Sequence, residues 1–239
     1  LVKTHNGAIK YMIYVSIDIE TTGLNPETCQ ILSIGAVIED TQKQLAFEEI
    51  PKFHCAILKN ERDIISGEIY ALNMNRDLIE SITYYSTAKD QDEKNDLVHF
   101  TGMQFVREED IAEHFFQFLY RNGFKPNESD LPLNKKIKII NGISYPVLDS
   151  SVKPITINVA GKNFSGFDRK FLDLLPRWKQ LIRTRSRVID PGVLFVDWEN
   201  DDAVPSLDSC KKRALIEGVV THNALEDAWD VIQVLRTKY

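Results

Sequence analysis

Asp18 and Glu20 stand two residues apart at the end of the apolar run Tyr14-Val15-Ser16-Ile17, and the turn Thr21-Thr22-Gly23-Leu24 follows at once. In a β-strand, residues i and i+2 point to the same face. The two carboxylates therefore project together, while Ile17 and Ile19 face the other way. Like charges held side by side cost stability unless something positive sits between them. Donors that are all oxygen suit a hard divalent cation, Mg²⁺ or Mn²⁺.

Such a cation needs further ligands, and two later segments supply candidates. Gly161-Lys162-Asn163-Phe164-Ser165-Gly166-Phe167-Asp168-Arg169-Lys170-Phe171-Leu172 follows an apolar run and opens a helical pattern at Asp168. Thr221-His222-Asn223-Ala224-Leu225-Glu226-Asp227-Ala228 opens the last helical pattern of the chain. Four carboxylates meeting at one sheet edge would hold two divalent ions roughly 3.5–4 Å apart, a clamp for a phosphodiester. No Gly-rich phosphate loop is present, so hydrolysis fits better than transfer from ATP. His222 offers a general base with a pKa near neutrality. Five residues along a helix turn the side chain by about 140°, so His222 and Asp227 share a direction only if His222 lies on the loop before the helix.

In this order the three segments resemble the three motifs of the DEDD 3′–5′ exonucleases, in the branch whose last motif carries His (DEDDh). The matching positions are Asp18 and Glu20, then Asp168, then His222 and Asp227. The resemblance implies a ribonuclease H-like α/β fold, a mixed five-stranded sheet flanked by helices. It implies that Asp18 bridges both ions, that Glu20 and Asp227 complete the shell of the first, and that Asp168 serves the second. It implies that His222 takes a proton from the attacking water. The Thr21, Thr22 and Gly23 backbone would approach the terminal 3′ sugar, Leu24 would wedge against the last base, and Asn163 is assigned to the substrate with them. The implied reaction releases nucleoside 5′-monophosphates from the 3′ end of single-stranded RNA or DNA. One departure stands out: Asn163 is five residues before Asp168 where the family has four, and Lys162 stands where many members carry His.

The elements that must position these residues are legible in outline. Met12–Glu20, Gln30–Glu39 and a stretch from about Gln44 to Leu58 predict three strands on short links, an antiparallel meander. Ser66–Leu72 predicts a helix start, with Ile69, Leu72 and Leu78 on one face. Residues 86–96 are polar and predict a loop, and Glu108–Tyr120 a helix ended by Asn122-Gly123. Asn141-Gly142 between β-forming runs predicts a hairpin, with Pro146 placing one arm at an edge. Pro154–Ala160 predicts a buried strand, Asp168–Leu175 a helix, and Arg187–Asp190 a short strand. Ser206–Ile216 predicts a helix stopped by Gly218, and His222–Leu235 the last helix. One domain over 1–239 is expected. The 150 positions between Asp18 and Asp168 exceed what such a core needs, so an insertion at about 84–152 is expected.

Composition sets bounds. Of 239 residues, 43% are hydrophobic, enough for a sizeable core. No apolar run reaches the roughly 20 residues of a membrane helix, and the run after Lys3 and Lys10 reads as a strand rather than a signal peptide. Cys29, Cys55 and Cys210 are far apart with no Cys-x-x-Cys, so reduced thiols of a cytoplasmic, intracellular protein are expected. A net charge of −6 argues against a coat on long duplex DNA but leaves room for an enzyme gripping one end. Arg169, Lys170, Arg177, Lys179, Arg183, Arg185 and Arg187 read either as a solvated helix face or as a phosphate track, with Trp178 stacking on a base or lying in the core. His5, His54, His99 and His114 read as background, Met74 as core or interface, and Asp190, Glu226 and Asp230 as surface acids. The expected partner is a single-stranded 3′ end, with a homodimer or a polymerase partner left open. The alternative function is a non-catalytic nucleic-acid-binding or polymerase-associated module on the same fold.

Overall fold

The computed structural model describes residues 11–59, 64–126, 133–140, 143–148, 152–218 and 220–239. Strands β1 (Ile13–Thr21), β2 (Ile31–Asp40) and β3 (Lys52–Leu58) form the antiparallel meander. Helices α1 (Ile69–Met74), α2 (Arg76–Thr87) and α3 (Gln91–Thr101) lead to β4 (Gln104–Arg107), which joins β3 in parallel. A single 3₁₀ turn at Glu108–Asp110 then opens α4 (Ile111–Arg121). The hairpin β5 (Leu133–Ile140) and β6 (Ile143–Leu148) forms a sheet of its own. Next come β7 (Ile155–Ile157), β8 (Val159–Ala160), α5 (Asp168–Leu172), α6 (Trp178–Leu181), β9 (Ile182–Thr184), α7 (Pro191–Leu194), α8 (Leu207–Arg213) and α9 (Ala224–Arg236).

The main sheet has five strands in the order β4-β3-β2-β1-β8, with β8 parallel to β1. This is the mixed five-stranded sheet the motifs implied. Its two faces explain why β2 is apolar along its length, since a strand covered on both sides loses the alternation of a half-exposed one. On one face Val15, Ile17, Ile19, Phe53 and Ile57 pack against Ile111 and Phe115 of α4 and Trp178 and Leu181 of α6. On the other, Tyr14 and Val37 pack against Leu207 of α8 and Val231, Ile232 and Leu235 of α9. A smaller cluster joins Leu32 and Ala56 to Ile82 and Tyr85 of α2 and Phe105 of β4. Asp18 and Glu20 lie on the α9 face, as the period of two requires.

Several expectations are corrected. Residues 44–51 are irregular chain with a turn at 47–49, and β3 begins at Lys52. Within 86–96 lies the start of α3, capped by the Asp90 side chain on the Asp92 amide and ended by left-handed Gly102. The segment Arg187–Asp190 forms no strand and makes only a single bridge, Ala160 to Ile189, while β4 supplies an edge strand at the far side of the sheet. Asn158 splits Pro154–Ala160 into β7 and β8, and its amide instead donates to the Ile13 carbonyl at 3.0 Å. Helix α8 stops at Arg213 because Leu215, not Gly218, turns left-handed first. Helix α1 begins at Ile69, whose side chain is exposed rather than packed. The Asn141-Gly142 turn lies outside the described residues, but its arms pair antiparallel with Ile140 opposite Ile143. From the stretch 84–152, β4 joins the main sheet and α4 its core.

Candidate active site

The site grows from the register of three elements. Strand β1 pairs with β2 so that Asp18 faces Gly35 and Glu20 faces Ser33. A side chain at position 35 would collide with α9: a β-carbon there would stand 2.2 Å from the Ala224 backbone. Glycine at that position lets the first turn of α9 descend onto the sheet. Asn223 caps that turn, its side chain accepting from the Leu225 amide at 3.1 Å and the Glu226 amide at 3.3 Å. One turn in, Asp227 is buried.

Asp18, Glu20 and Asp227 therefore converge, each with a carboxylate oxygen within 4.8 Å of the others. Asp168 arrives from the other side. Strand β8 lies beside β1, the chain turns at Gly161, and α5 begins at Asp168, whose buried carboxylate accepts the Ile19 backbone N–H. It is near enough to push up the pKa of Asp18.

Electrostatics show the tension in this cluster. Burial first, then Asp168, Asp227 and Glu20, hold Asp18 well above the usual carboxylate range. Glu20 is raised to about 8, by burial and then by Asp227, with the nearby Asn75 side-chain amide drawing it down. Asp168 is raised to about 7 by burial, opposed by its own backbone amide and that of Ile19. Asp227 is raised to about 6, again by burial, with the Thr221 main chain and His222 pulling it down. One oxygen, Asp227 Oδ1, is buried with no hydrogen-bond partner. A buried carboxylate oxygen left without a donor costs about 1–3 kcal/mol or more, and a divalent cation bound by oxygens would satisfy it. The donor set fits Mg²⁺ or Mn²⁺.

His222 sits on the loop before α9, exposed and left-handed at φ 55°, as the 140° argument required. It lines an open cavity of about 370 Å³ together with Glu20, Ser33, His54, Asn75 and Asn223. Thr21 and Thr22 are buried and spend their hydroxyls inside the turn: Thr21 Oγ1 donates to the Gly23 carbonyl at 2.8 Å, and Thr22 Oγ1 accepts from the Gln30 amide at 2.9 Å. Leu24 projects outward, 72% exposed. Asn163 is left-handed and exposed, and its backbone N–H donates to Asp190 at 2.9 Å. It shapes the turn into α5 and is not brought into the carboxylate cluster.

Of the other residues, Trp178 and Glu226 fall within their sequence reading, and Arg177, Asp190, Asp230 and His54 depart from it. Trp178 is 1% exposed, so it packs in the core and no base can stack on it. Arg177 pairs with Glu113 and donates to the Leu148 carbonyl, which removes it from any surface track, while Arg183, Arg185 and Arg187 are exposed. Asp230 is buried against Lys211, and Asp190 caps α7, so neither is a plain surface acid. Glu226 is exposed. His54 faces the cavity beside Glu20, and burial lowers its pKa to about 4, so it is neutral at working pH. Met74 is 37% exposed on the cavity wall. Neither His54 nor Asn75 was marked by local sequence. The only signal for His54 is its register, opposite Gly35 on β2.

No family model and no curated protein matches the chain. Solved structures do. The Escherichia coli (E. coli) Exonuclease I structure in complex with a dT13 oligonucleotide superimposes over 94% of this chain and 40% of that one, with a TM-score of 0.50 and 14% identity. A second Exonuclease I structure covers the same shares with a TM-score of 0.52 and 11% identity. The chain has the ribonuclease H-like fold of Exonuclease I. At this identity the likeness is one of fold, and it agrees with the resemblance to DEDD exonucleases that the three motifs carry. The chain spans 40% of the length of the Exonuclease I structures it matches. Among the described residues no helix is long and apolar enough to cross a membrane.

Proposed function

We propose that the chain is a divalent-metal-dependent 3′–5′ exonuclease, hydrolysing single-stranded RNA or DNA from the 3′ end to nucleoside 5′-monophosphates. The observation that carries this reading is the convergence of Asp18, Glu20 and Asp227 with an unpartnered buried oxygen among them. Asp18, Glu20, Asp168 and Asp227 would hold two ions, Mg²⁺ or Mn²⁺. When bound, such a pair supplies Lewis-acid stabilisation of the charge that develops on the phosphoryl oxygens.

The chain's own residues do the rest. His222 accepts the proton of the attacking water, and its place on an exposed loop lets it reach the phosphate and withdraw. The water oxygen bonds to phosphorus as the 3′ oxygen of the preceding nucleotide leaves, so the terminal residue departs as a 5′-monophosphate. The Thr21–Gly23 backbone lies against the terminal sugar, and Leu24, left largely uncovered by its own fold, lies against the last base. Asn163 orders the turn ahead of Asp168. The three cysteines are unpaired, which supports a reducing, intracellular compartment.

The test is release of mononucleotides from oligomers labelled at the 3′ end, RNA and DNA, single- and double-stranded, with Mg²⁺, Mn²⁺ or EDTA. Metal-dependent release that Asp18→Ala abolishes supports the reading. Equal release from wild type and Asp18→Ala rejects it, and no release from the wild type favours a module that binds nucleic acid without cutting it.

A further inference from the structure

The end of β1 is irregular where the acids sit. Pairing with β2 runs in step to Glu20 opposite Ser33, then slips so that Thr21 faces Ile31. The residue passed over is Leu32 of β2. Beside the slip, the Thr21 carbonyl takes its hydrogen bond from Asn75. The Asn75 side-chain amide donates to the Thr21 carbonyl at 3.2 Å and to the Ala71 carbonyl at 3.2 Å. The same amide lies near enough to the Glu20 carboxylate to draw its pKa down. Asn75 is 4% exposed and occupies the junction of α1 and α2, where its main chain ends the first helix and begins the second.

The segment that carries Asn75 is buttoned to the turn at its other end too. The Glu68 amide donates to the Thr22 carbonyl at 2.7 Å, and the Leu24 amide donates to Glu68 Oε1 at 2.9 Å. Gly67 lies so close that a β-carbon would stand 2.1 Å from the Thr22 carbonyl oxygen. Residues 67–75 thus bracket Glu20 to Leu24 from both ends, and at the end nearest the acids the bracket is one amide.

We propose that Asn75 is a positioning residue for the acidic cluster: its buried amide fixes the Thr21 peptide, and with it the strand end that carries Glu20, and the cluster binds divalent cation weakly without it. This rests on the proposed function, and it adds a residue that none of the three motifs contains. Groups that orient a metal ligand typically change metal affinity by 10–100-fold when removed. Asn75 is a neutral donor to the neighbouring Thr21 carbonyl, so it places Glu20 without competing for the cation.

Mn²⁺ titration followed by electron paramagnetic resonance tests this without reference to turnover. Asn75→Ala is compared with wild type and with Tyr85→Ala, which loosens α2 by losing a ring stack on Phe105 at 4.3 Å but leaves the amide in place. The expected result is a Mn²⁺ Kd at least about 10-fold weaker for Asn75→Ala and unchanged for Tyr85→Ala. If Asn75→Ala does not fold, Asn75→Ser, whose hydroxyl cannot span both carbonyls, carries the same comparison. A Kd within twofold of wild type in the folded variant overturns the proposal, as does an equal loss in Tyr85→Ala. A wild type that binds Mn²⁺ and releases mononucleotides while Asn75→Ala binds as well removes this inference alone. A wild type that binds no Mn²⁺ removes the proposed function, and this inference with it.

Discussion

Gly35 lies under Ala224 with no room for a side chain, and it pairs across the sheet with Asp18. One missing β-carbon on β2 thus decides how close α9, and Asp227 on it, comes to the acids of β1. Substituting alanine should push the start of α9 outward. Overpacking of this kind costs about 1–3 kcal/mol, and a displacement near 1 Å can cost about 10²-fold in rate. Gly35→Ala should therefore lower Tm and reduce mononucleotide release by at least about 10²-fold. A variant that releases mononucleotides at the wild-type rate would show that α9 does not set the site.

Without cations the acidic cluster should destabilise the fold as pH rises. The folded-state pKa values of Glu20, Asp168 and Asp227 are raised to about 8, 7 and 6, above their values in the unfolded chain. The folded state therefore holds more protons, and stability from these groups is fully present below the unfolded pKa and lost as pH rises through the folded values. In EDTA, Tm should fall between about pH 5 and pH 8, and Mn²⁺ should restore it at pH 8. Asp18→Asn puts a neutral amide where the other three acids crowd a carboxyl, so it should raise Tm at pH 8 in EDTA and weaken the Mn²⁺-induced rise. A Tm in EDTA that climbs over that range, or an Asp18→Asn variant less stable than wild type, would contradict this.

His222 is exposed on the loop before α9. His222→Ala should leave stability within about 0.5 kcal/mol of wild type and lower the rate of nucleotide release by about 10²–10⁴-fold, as loss of a general base does. Wild-type turnover in that variant would place the proton acceptor elsewhere.

Arg183 and Arg185 are exposed on and just after β9. If they meet substrate phosphates, the double reversal Arg183→Glu, Arg185→Glu should weaken single-strand binding and flatten its salt dependence by about 0.7 for each phosphate no longer neutralised. An unchanged slope returns these residues to the solvated surface.

The β1 acids and their shared face were legible because a strand repeats every two residues, and α9 was legible because Ala224, Ala228, Val231, Ile232 and Leu235 recur at helical spacing, although the helix begins at Ala224 rather than His222. Both signals are local. What escaped the sequence depends on distant partners or on brevity. Helix α3 has no buried side chain, so it carries no apolar stripe, and only its Asp90 and Gly102 caps betray it. Strand β4 has four residues, too few to show a period. Trp178 among basic residues left both the core and a base stack open, and only the fold decides it: α4 covers it, with the Phe115 ring 4.9 Å away. Asp230 looked solvated until Lys211, 19 positions away, met it in the interior. Asn75 carries no local mark, because its acceptor at Thr21 is 54 positions distant.

The most direct measurement is anomalous diffraction at the manganese edge from crystals grown with Mn²⁺. Two manganese peaks should lie among Asp18, Glu20, Asp168 and Asp227, both in coordination range of Asp18, and Asp227→Ala should lose at least one. Manganese density absent from this cluster, or bound only at other acids of the surface, would contradict the account.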